Sequence, residues 1–407
     1  MRPFTSTISL EEARRRLAAA VRPIVRTESI PLAGAAGRVS AADVRSAIDV
    51  PPFVRALMDG YAVVAADTVT ATAASPARLR LVDKIYTGEV STVTVGSGTC
   101  AEIATGAPLP PGADAVVMVE QTAADGDLIQ INGPSTPGAN VGRRGSDLMT
   151  GDPVVHSGDV LTPSRIGALA AVGCSAVVVF AKPTVAILST GNEVVQPGQP
   201  LSPGQIYDVN RFTLSAIAQA HGGAPLPHVP VGDTLEALTA ALDACHESDL
   251  VVFSGGSSVG NRDLVSDLVA THGRMIFHGI SVRPGKPTAF ALLNLAGQEN
   301  GIPFFGMPGN PTSCLSNAYL LLIPFLRSLA RLPAHTPRTL SAPLGRRVTS
   351  TIGRRQFYTV RVENGVAFPA FKGSGDITSL SQADGYVEIA EDEEAIDEGT
   401  VVRVTLF

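Results

Sequence analysis

Four stretches decide how this chain folds: STGNE (Ser189–Glu193), SGGSSVGNRD (Ser254–Asp263), RPGKP (Arg283–Pro287) and MPGNP (Met307–Pro311). Each follows an apolar run of strand type, such as VAILST before the first and DLVVF before the second. A strand that ends in a glycine-bearing turn, with a helix behind it, points backbone N–H groups outward. That geometry cradles phosphate or another oxyanion. Helical patterns lie between the strands: RFTLSAIAQAHGG, TLEALTAALDACHES, DLVSDLVATHG and a long helix after Asn310. The alternation from Lys182 to Leu332 predicts a largely parallel, helix-covered sheet. Open α/β sheets bind ligands at the carboxyl ends of their strands, so four such loops predict an active site there.

Working outward, Ser9-x-x-Glu12 is a capping box that opens the helix EEARRRLAAAVRPI, and short strands follow around VSAADV. From Ala62 to Asn140 the chain turns β-rich, with Val/Thr runs broken by Gly and Pro, as a small β-domain inserted into the first would be. A helix is predicted from Pro163 to Val172 with Gly173 as its C-cap. After Pro333 the chain is β again, with a hairpin across Glu363-Asn364-Gly365 and an acidic turn, Glu391–Glu398, before the last strand. The expected fold class is multidomain α/β plus β. Its boundaries are 1–53 with 141–181, then 54–140, 182–332 and 333–407.

At 407 residues the length suggests two to four domains. A hydrophobic content of 45% with 17% charged residues is that of a globular protein. The net charge of −6 and pI near 5.7 exclude a general nucleic-acid or acidic-membrane partner. Ile166–Phe180, the most apolar run, is too short to span a bilayer. Cys100, Cys174, Cys245 and Cys314 form no CxxC pair or Cys/His cluster, which fits small buried hydrophobes in a reducing cytoplasm.

Within the α/β segment, Gly191 allows close backbone approach beside Glu193. Gly255, Gly256 and Gly260 leave backbone open, while Ser254, Ser257 and Ser258 add hydroxyl donors that suit a phosphate. Asp263 reads as an N-cap, a functional carboxylate, or both. Asp233 reads equally as the first residue of a capping box, Asp233-x-x-Glu236. Arg283 and Lys286, pinned by prolines, form a fixed cation pair able to neutralise a dianion. Asn310 and Pro311 make a good helix start and, equally, an anion site. Carboxylates and cations at one anion site are reconciled by Mg²⁺, which bridges carboxylates and phosphate oxygens. The residues alone thus point to a metal-assisted enzyme acting on a phosphate-bearing ligand. Alone, LMDGYA (with Asp59), ATGAPLPPGAD (with Thr105), RRGSD (with Asp147) and FKGSGD (with Ser374) read as turns.

Together and in this order, MDGYA, TGAPLPPGAD, RRGSD, STGNE, GQIYDVN, SGGSSVG, PGKP, PGNP and the final GSG loop resemble the molybdopterin molybdenumtransferase family, the MoeA proteins and the gephyrin E domain. The resemblance covers essentially the whole chain. It implies an elongated N-terminal domain, an inserted β-domain, a three-layer α/β molybdopterin-binding domain and a C-terminal β-barrel. It also implies a cytoplasmic homodimer that uses Mg²⁺, adenylylated molybdopterin and molybdate, and releases AMP and molybdenum cofactor. Carried over motif by motif, the catalytic positions are Asp59, Thr105, Asp147, Glu193, Asp233 and Asp263. Glu193, Asp233 and Asp263 would hold metal or water. Ser254, Gly255, Gly256 and Ser257 would meet the ligand phosphate, and Arg283, Lys286, Pro308, Pro311 and Ser374 would line the oxyanion pocket, joined by one of Arg354, Arg355 or Arg361.

Several positions depart from the family pattern. FVRAL precedes MDGYA in place of an FDNSA-like loop, and Asn192 and Arg283 stand where many members have Asp and Lys. HGISVRPGKP and KGSGDITSL resemble the archaeal-type branch, for which tungstate is an alternative oxyanion. The competing readings are a molybdopterin adenylyltransferase, whose fold resembles Lys182–Leu332, a non-catalytic scaffold relative, and a general Mg²⁺-dependent phosphohydrolase.

Overall fold

Helix α1 (Leu10–Ala20) starts at the predicted cap, where the Ser9 hydroxyl accepts from the Glu12 N–H at 3.1 Å. The other half of the box is not made, because the Glu12 carboxylate turns to Arg15 and Arg16. The helix stops short of the expected end: Val21 is already extended, and the residue before Pro23 is disfavoured in helical backbone. Leu10 and Leu17 are buried, each contributing about 1.5–3 kcal/mol.

The computed structural model describes residues 7–255, 264–295 and 301–407. The chain forms two compact units, one of Ser29–Val179 and one of Met1–Glu28 with Phe180–Phe407. In the first, strands β1 (Gly60–Val63), β2 (Ala77–Ile85), β3 (Thr99–Ile103), β4 (Ala115–Met118), β5 (Thr122–Asp125) and β6 (Leu128–Ile131) form one sheet in the order β4-β1-β3-β2-β6-β5. Only β2 and β3 run parallel. Alternation sorts the side chains of β1: Tyr61 and Val63 enter one core, Ala62 the other. Helix α2 (Pro163–Ala171) has Thr162 as N-cap and packs Leu169 against Val155, Leu161 and Val177; Gly173 follows at φ +83°.

The second unit holds the α/β sheet: β7 (Thr184–Ser189), β8 (Ala224–Pro227), β9 (Leu250–Ser254), β10 (Gly273–His278), β11 (Ala289–Leu293) and β12 (Ile302–Met307), in the order β8-β7-β9-β12-β11-β10. The first four are parallel, whereas β11 and β10 are antiparallel. The links flanking β11 are too short for the crossover that parallel pairing needs. Helices α3 (Asn210–Ala220), α4 (Leu235–Asp243) and α5 (Leu264–His272) divide between two faces. Leu214 and Ile217 of α3 join α1 in one core, and Leu238, Leu242, Val265 and Leu268 build the other.

The long helix expected after Asn310 is divided. Helices α6 (Pro311–Asn317) and α7 (Ile323–Leu329) are joined by a π-turn, Ala318–Leu322. Pro324 has no N–H for the Leu320 carbonyl, and Arg14 of α1 donates to that carbonyl instead, at 3.3 Å. The C-terminal part is rich in strands: β13 (Thr339–Pro343), β14 (Arg355–Glu363), β15 (Val366–Pro369), β16 (Gly385–Ile389) and β17 (Val401–Leu406). Asn364 and Gly365, at φ +51° and +78°, make the predicted tight hairpin between β14 and β15. Val282–Arg283 pairs with Arg355–Gln356, so the RPGKP loop begins as an edge strand of this sheet.

Candidate active site

A cleft of about 1290 Å³ opens at the carboxyl ends of β7, β9 and β12, and all four loops named at the outset contribute to it. Three of them pack backbone on backbone. Thr190 N–H donates to the Ser254 carbonyl at 3.0 Å, and Gly255 N–H to the Met307 carbonyl at 3.3 Å. A Cβ on Gly255, which sits at φ +109°, would lie 2.5 Å from the Thr190 carbonyl oxygen, so only glycine fits. Gly256, Ser257 and Asp263 lie outside the described residues.

Two neighbouring loops, one after β7 and one after β8, each bring a carboxylate to the cleft. Glu193 is exposed and folds back, its carboxylate oxygens 2.9 Å from where a Cβ of Gly191 would be. Asp233 does not cap α4: Thr234 does, accepting from Ala237 N–H at 3.2 Å. The Asp233 carboxylate instead accepts from the Thr190 hydroxyl and from Asn192 N–H at 3.2 Å. Asp233 is thus not the cap, and it lines the cleft. Glu193 and Asp233, on separate loops that line the same cleft, are carboxylates of the kind a hard divalent ion takes as ligands.

Cations come from the other side of the sequence. Arg283 donates to the Thr351 hydroxyl, and Lys286 lines the cleft. Gly285 is at φ +106°, where a Cβ would collide with the buried Asn317 amide, and Asn317 Nδ2 donates to the Gly285 carbonyl at 2.8 Å. Of the three candidate arginines, Arg354 lines the cleft. Arg355 is spent on Glu11 and Glu388, and Arg361 on Glu363 in the hairpin.

Asn310 occupies the N-cap position of α6 without capping it; its Nδ2 donates to Ser374 Oγ at 3.0 Å. Thr312 N–H donates to the Ser374 carbonyl at 3.1 Å, and the Thr312 hydroxyl to the Asp376 carbonyl at 2.9 Å. FKGSGD is therefore docked on the start of α6, with Pro308 and Pro311 alongside in the cleft wall. Burial pushes the Cys314 thiol beneath it up to about 12, which makes it inert as a nucleophile.

Reasoning on separate loops missed Asp208 and Asn210 of GQIYDVN. Asp208 is 3% exposed and accepts from Arg211 N–H at 3.1 Å and Ser189 Oγ at 3.2 Å. Asn210 Nδ2 donates to Ser254 Oγ and to the Gly309 carbonyl, both at 2.7 Å, so the Ser254 oxygen accepts here and its O–H hydrogen is not used by this bond. A polar pair just before an apolar-periodic helix looks like a cap, and nothing local says otherwise.

In the Ser29–Val179 unit, Asp59 is exposed and accepts from Thr105 N–H at 2.7 Å and its hydroxyl at 2.9 Å. Those donors hold its carboxyl below the usual carboxylate range. Asp147 is exposed, in a turn closed by Gly145 N–H on the Pro51 carbonyl and by an ion pair between Arg144 and Asp49 at 2.6 Å.

Comparison with known proteins agrees with this architecture. Residues 8–173 match the MoeA N-terminal region (domain I and II), 186–328 a probable molybdopterin binding domain, and 341–407 the MoeA C-terminal region (domain IV). Molybdopterin molybdenumtransferase 2 of Mycobacterium tuberculosis is 34% identical over 97% of this chain and 98% of its own. The molybdopterin molybdenumtransferase of Haemophilus influenzae is 31% identical over 98% of each. Two molybdopterin biosynthesis MoeA structures from Pyrococcus horikoshii give TM-scores of 0.84 and 0.81 at 40% and 30% identity, covering 98% and 99% of this chain and 99% and 100% of theirs. The chain belongs to the MoeA family of molybdenum cofactor biosynthesis.

Proposed function

We propose that this chain is a Mg²⁺-dependent molybdopterin molybdotransferase. It takes adenylylated molybdopterin and molybdate, or tungstate, and yields the metal-loaded cofactor and AMP. The observation that carries this reading is one cleft lined by Glu193 after β7, Asp233 after β8 and the cations Arg283, Lys286 and Arg354. The names of the curated relatives support the same reaction class. Mg²⁺, when bound, supplies Lewis-acid charge to the phosphate oxygens. Glu193 and Asp233 would supply oxygen ligands to it, joined by Asp263 as the sequence motif implies, and Thr190 orients Asp233 by hydrogen bond. Lys286, Arg283 and Arg354 balance the charge of a tetrahedral dianion, while Ser374, held by Asn310, adds a neutral donor. A lone molybdopterin adenylyltransferase reading is disfavoured, because the MoeA-type matches extend to both sides of the molybdopterin-binding segment.

The active form is a homodimer in which Asp59 or Asp147 of one chain faces the Gly255–Asp263 loop of the other. Both carboxylates are exposed, and Phe53, Val54, Leu57 and Met58 beside Asp59 are 40–46% exposed, an apolar loop suited to a subunit contact. A reducing cytoplasm suits the four free cysteines. The deciding experiment is reconstitution with purified protein, adenylylated pterin, Mg²⁺ and graded molybdate or tungstate, following AMP and cofactor. Lys286→Ala should raise the oxyanion half-saturation strongly with little change for the pterin. Failure of the unsubstituted protein to release AMP would reject the reaction. Half-saturation that stays put for oxyanion in Lys286→Ala, while pterin affinity collapses, would make the RPGKP loop a phosphate clamp.

A further inference from the structure

Asn210 stands at the first turn of α3, 8% exposed and in the wall of the cleft. An amide NH₂ has two hydrogens, and both are committed: one to Ser254 Oγ and one to the Gly309 carbonyl, each at 2.7 Å. Its Oδ1 is buried with no partner among the described residues, so the side chain is held wholly through its donors. Only a short side chain with a forked donor can do this. Aspartate has the same shape but would set an acceptor against a carbonyl oxygen.

The two atoms it grips belong to different loops. Ser254 ends β9, where the glycine loop departs, and Gly309 precedes Asn310, whose own amide holds Ser374 at 3.0 Å. We infer that Asn210 is a positioning residue that sets the distance between the β9 loop and the Asn310–Ser374 side of the cleft. Through Gly309 and Asn310 it places the Ser374 hydroxyl for the oxyanion. This rests on the reaction proposed above.

The test compares Asn210→Asp and Asn210→Ala with the unsubstituted full-length protein, titrating molybdate at saturating adenylylated pterin and then the reverse. Loss of buried donors should lower kcat/KM for oxyanion by roughly tenfold or more, with the pterin half-saturation moving far less. Adding Ser374→Ala to Asn210→Ala should cost little further, because both act on one hydroxyl. Equal loss for both substrates, alongside a fall in Tm, would reduce Asn210 to a structural role and overturn the inference. So would full additivity with Ser374→Ala. If the unsubstituted protein makes no cofactor, the reaction fails while this inference is judged by amide hydrogen exchange. Faster exchange confined to Gly255 and Gly309–Ser313 in Asn210→Ala supports it, and unchanged exchange there overturns it.

Discussion

The cleft of the Phe180–Phe407 unit and the polar turns of the Ser29–Val179 unit carry motif residues of equal prominence in the sequence, yet the two are built differently. In the cleft, residues far apart in the chain are tied to one another: Asn210 to Ser254 and Asn317 to Gly285 by buried bonds, Asn210 to Gly309 by a half-buried one, and Asn310 to Ser374 at the surface. In the turns, the Asp59 carboxylate is held by Thr105, Arg144 meets Asp49, and Asp147 stays exposed. The cleft is a pre-organised site. The turns face solvent, and their bonds too join residues 46 and 95 positions apart, so exposure rather than sequence range separates the two regions.

That contrast can be broken most directly in the cleft. Glu193→Ala removes the carboxylate proposed to order the metal without touching the packed core, since the side chain is exposed over Gly191. AMP release should fall by roughly a hundredfold or more while pterin binding survives. Unchanged AMP release would show that the cleft is not where the metal acts.

A second experiment tests whether the turns borrow a surface from a partner subunit. Asp59→Ala and Glu193→Ala proteins, each impaired, are unfolded together, refolded in equal amounts and assayed. Random pairing puts half of the dimers in mixed form, each with one intact site, so about a quarter of unsubstituted activity should return. A mixture no more active than its components would place both residues in one chain's site or none.

The smallest effect sharpens the reading of the turns themselves. Thr105→Val removes the hydroxyl donor to Asp59 but leaves the backbone N–H, the larger of the two causes of its lowered pKa. The folded pKa should therefore rise part of the way back. If ionised Asp59 serves the reaction, the acid limb of the activity profile moves to higher pH. A profile that does not move would remove Asp59's charge from the mechanism.

Legibility in the sequence followed the range of the interaction. The cap at Ser9, the helix starting at Pro163, the Asn364-Gly365 hairpin and the β7 and β9 strands were all readable, because each depends on neighbours within a few residues. The division of the helix after Asn310 was not, since it turns on Arg14, some three hundred residues away, answering the Leu320 carbonyl. Asn310 sits at the N-cap position but gives its amide to Ser374, and Asp233, read equally as a cap or a site carboxylate, lies one residue before the cap and accepts from the β7 loop.

By itself the sequence determined the family, the α/β character of the central segment and which loops bear charge, since motif order, periodicity and glycine placement are written along the chain. Tertiary structure alone decided that Arg354 rather than Arg355 or Arg361 lines the cleft, that β10 and β11 run antiparallel, and that Asn210 grips two loops at once. A hydrogen bond acts over about 3 Å, and which groups come that close is settled only when strands distant in sequence lie side by side.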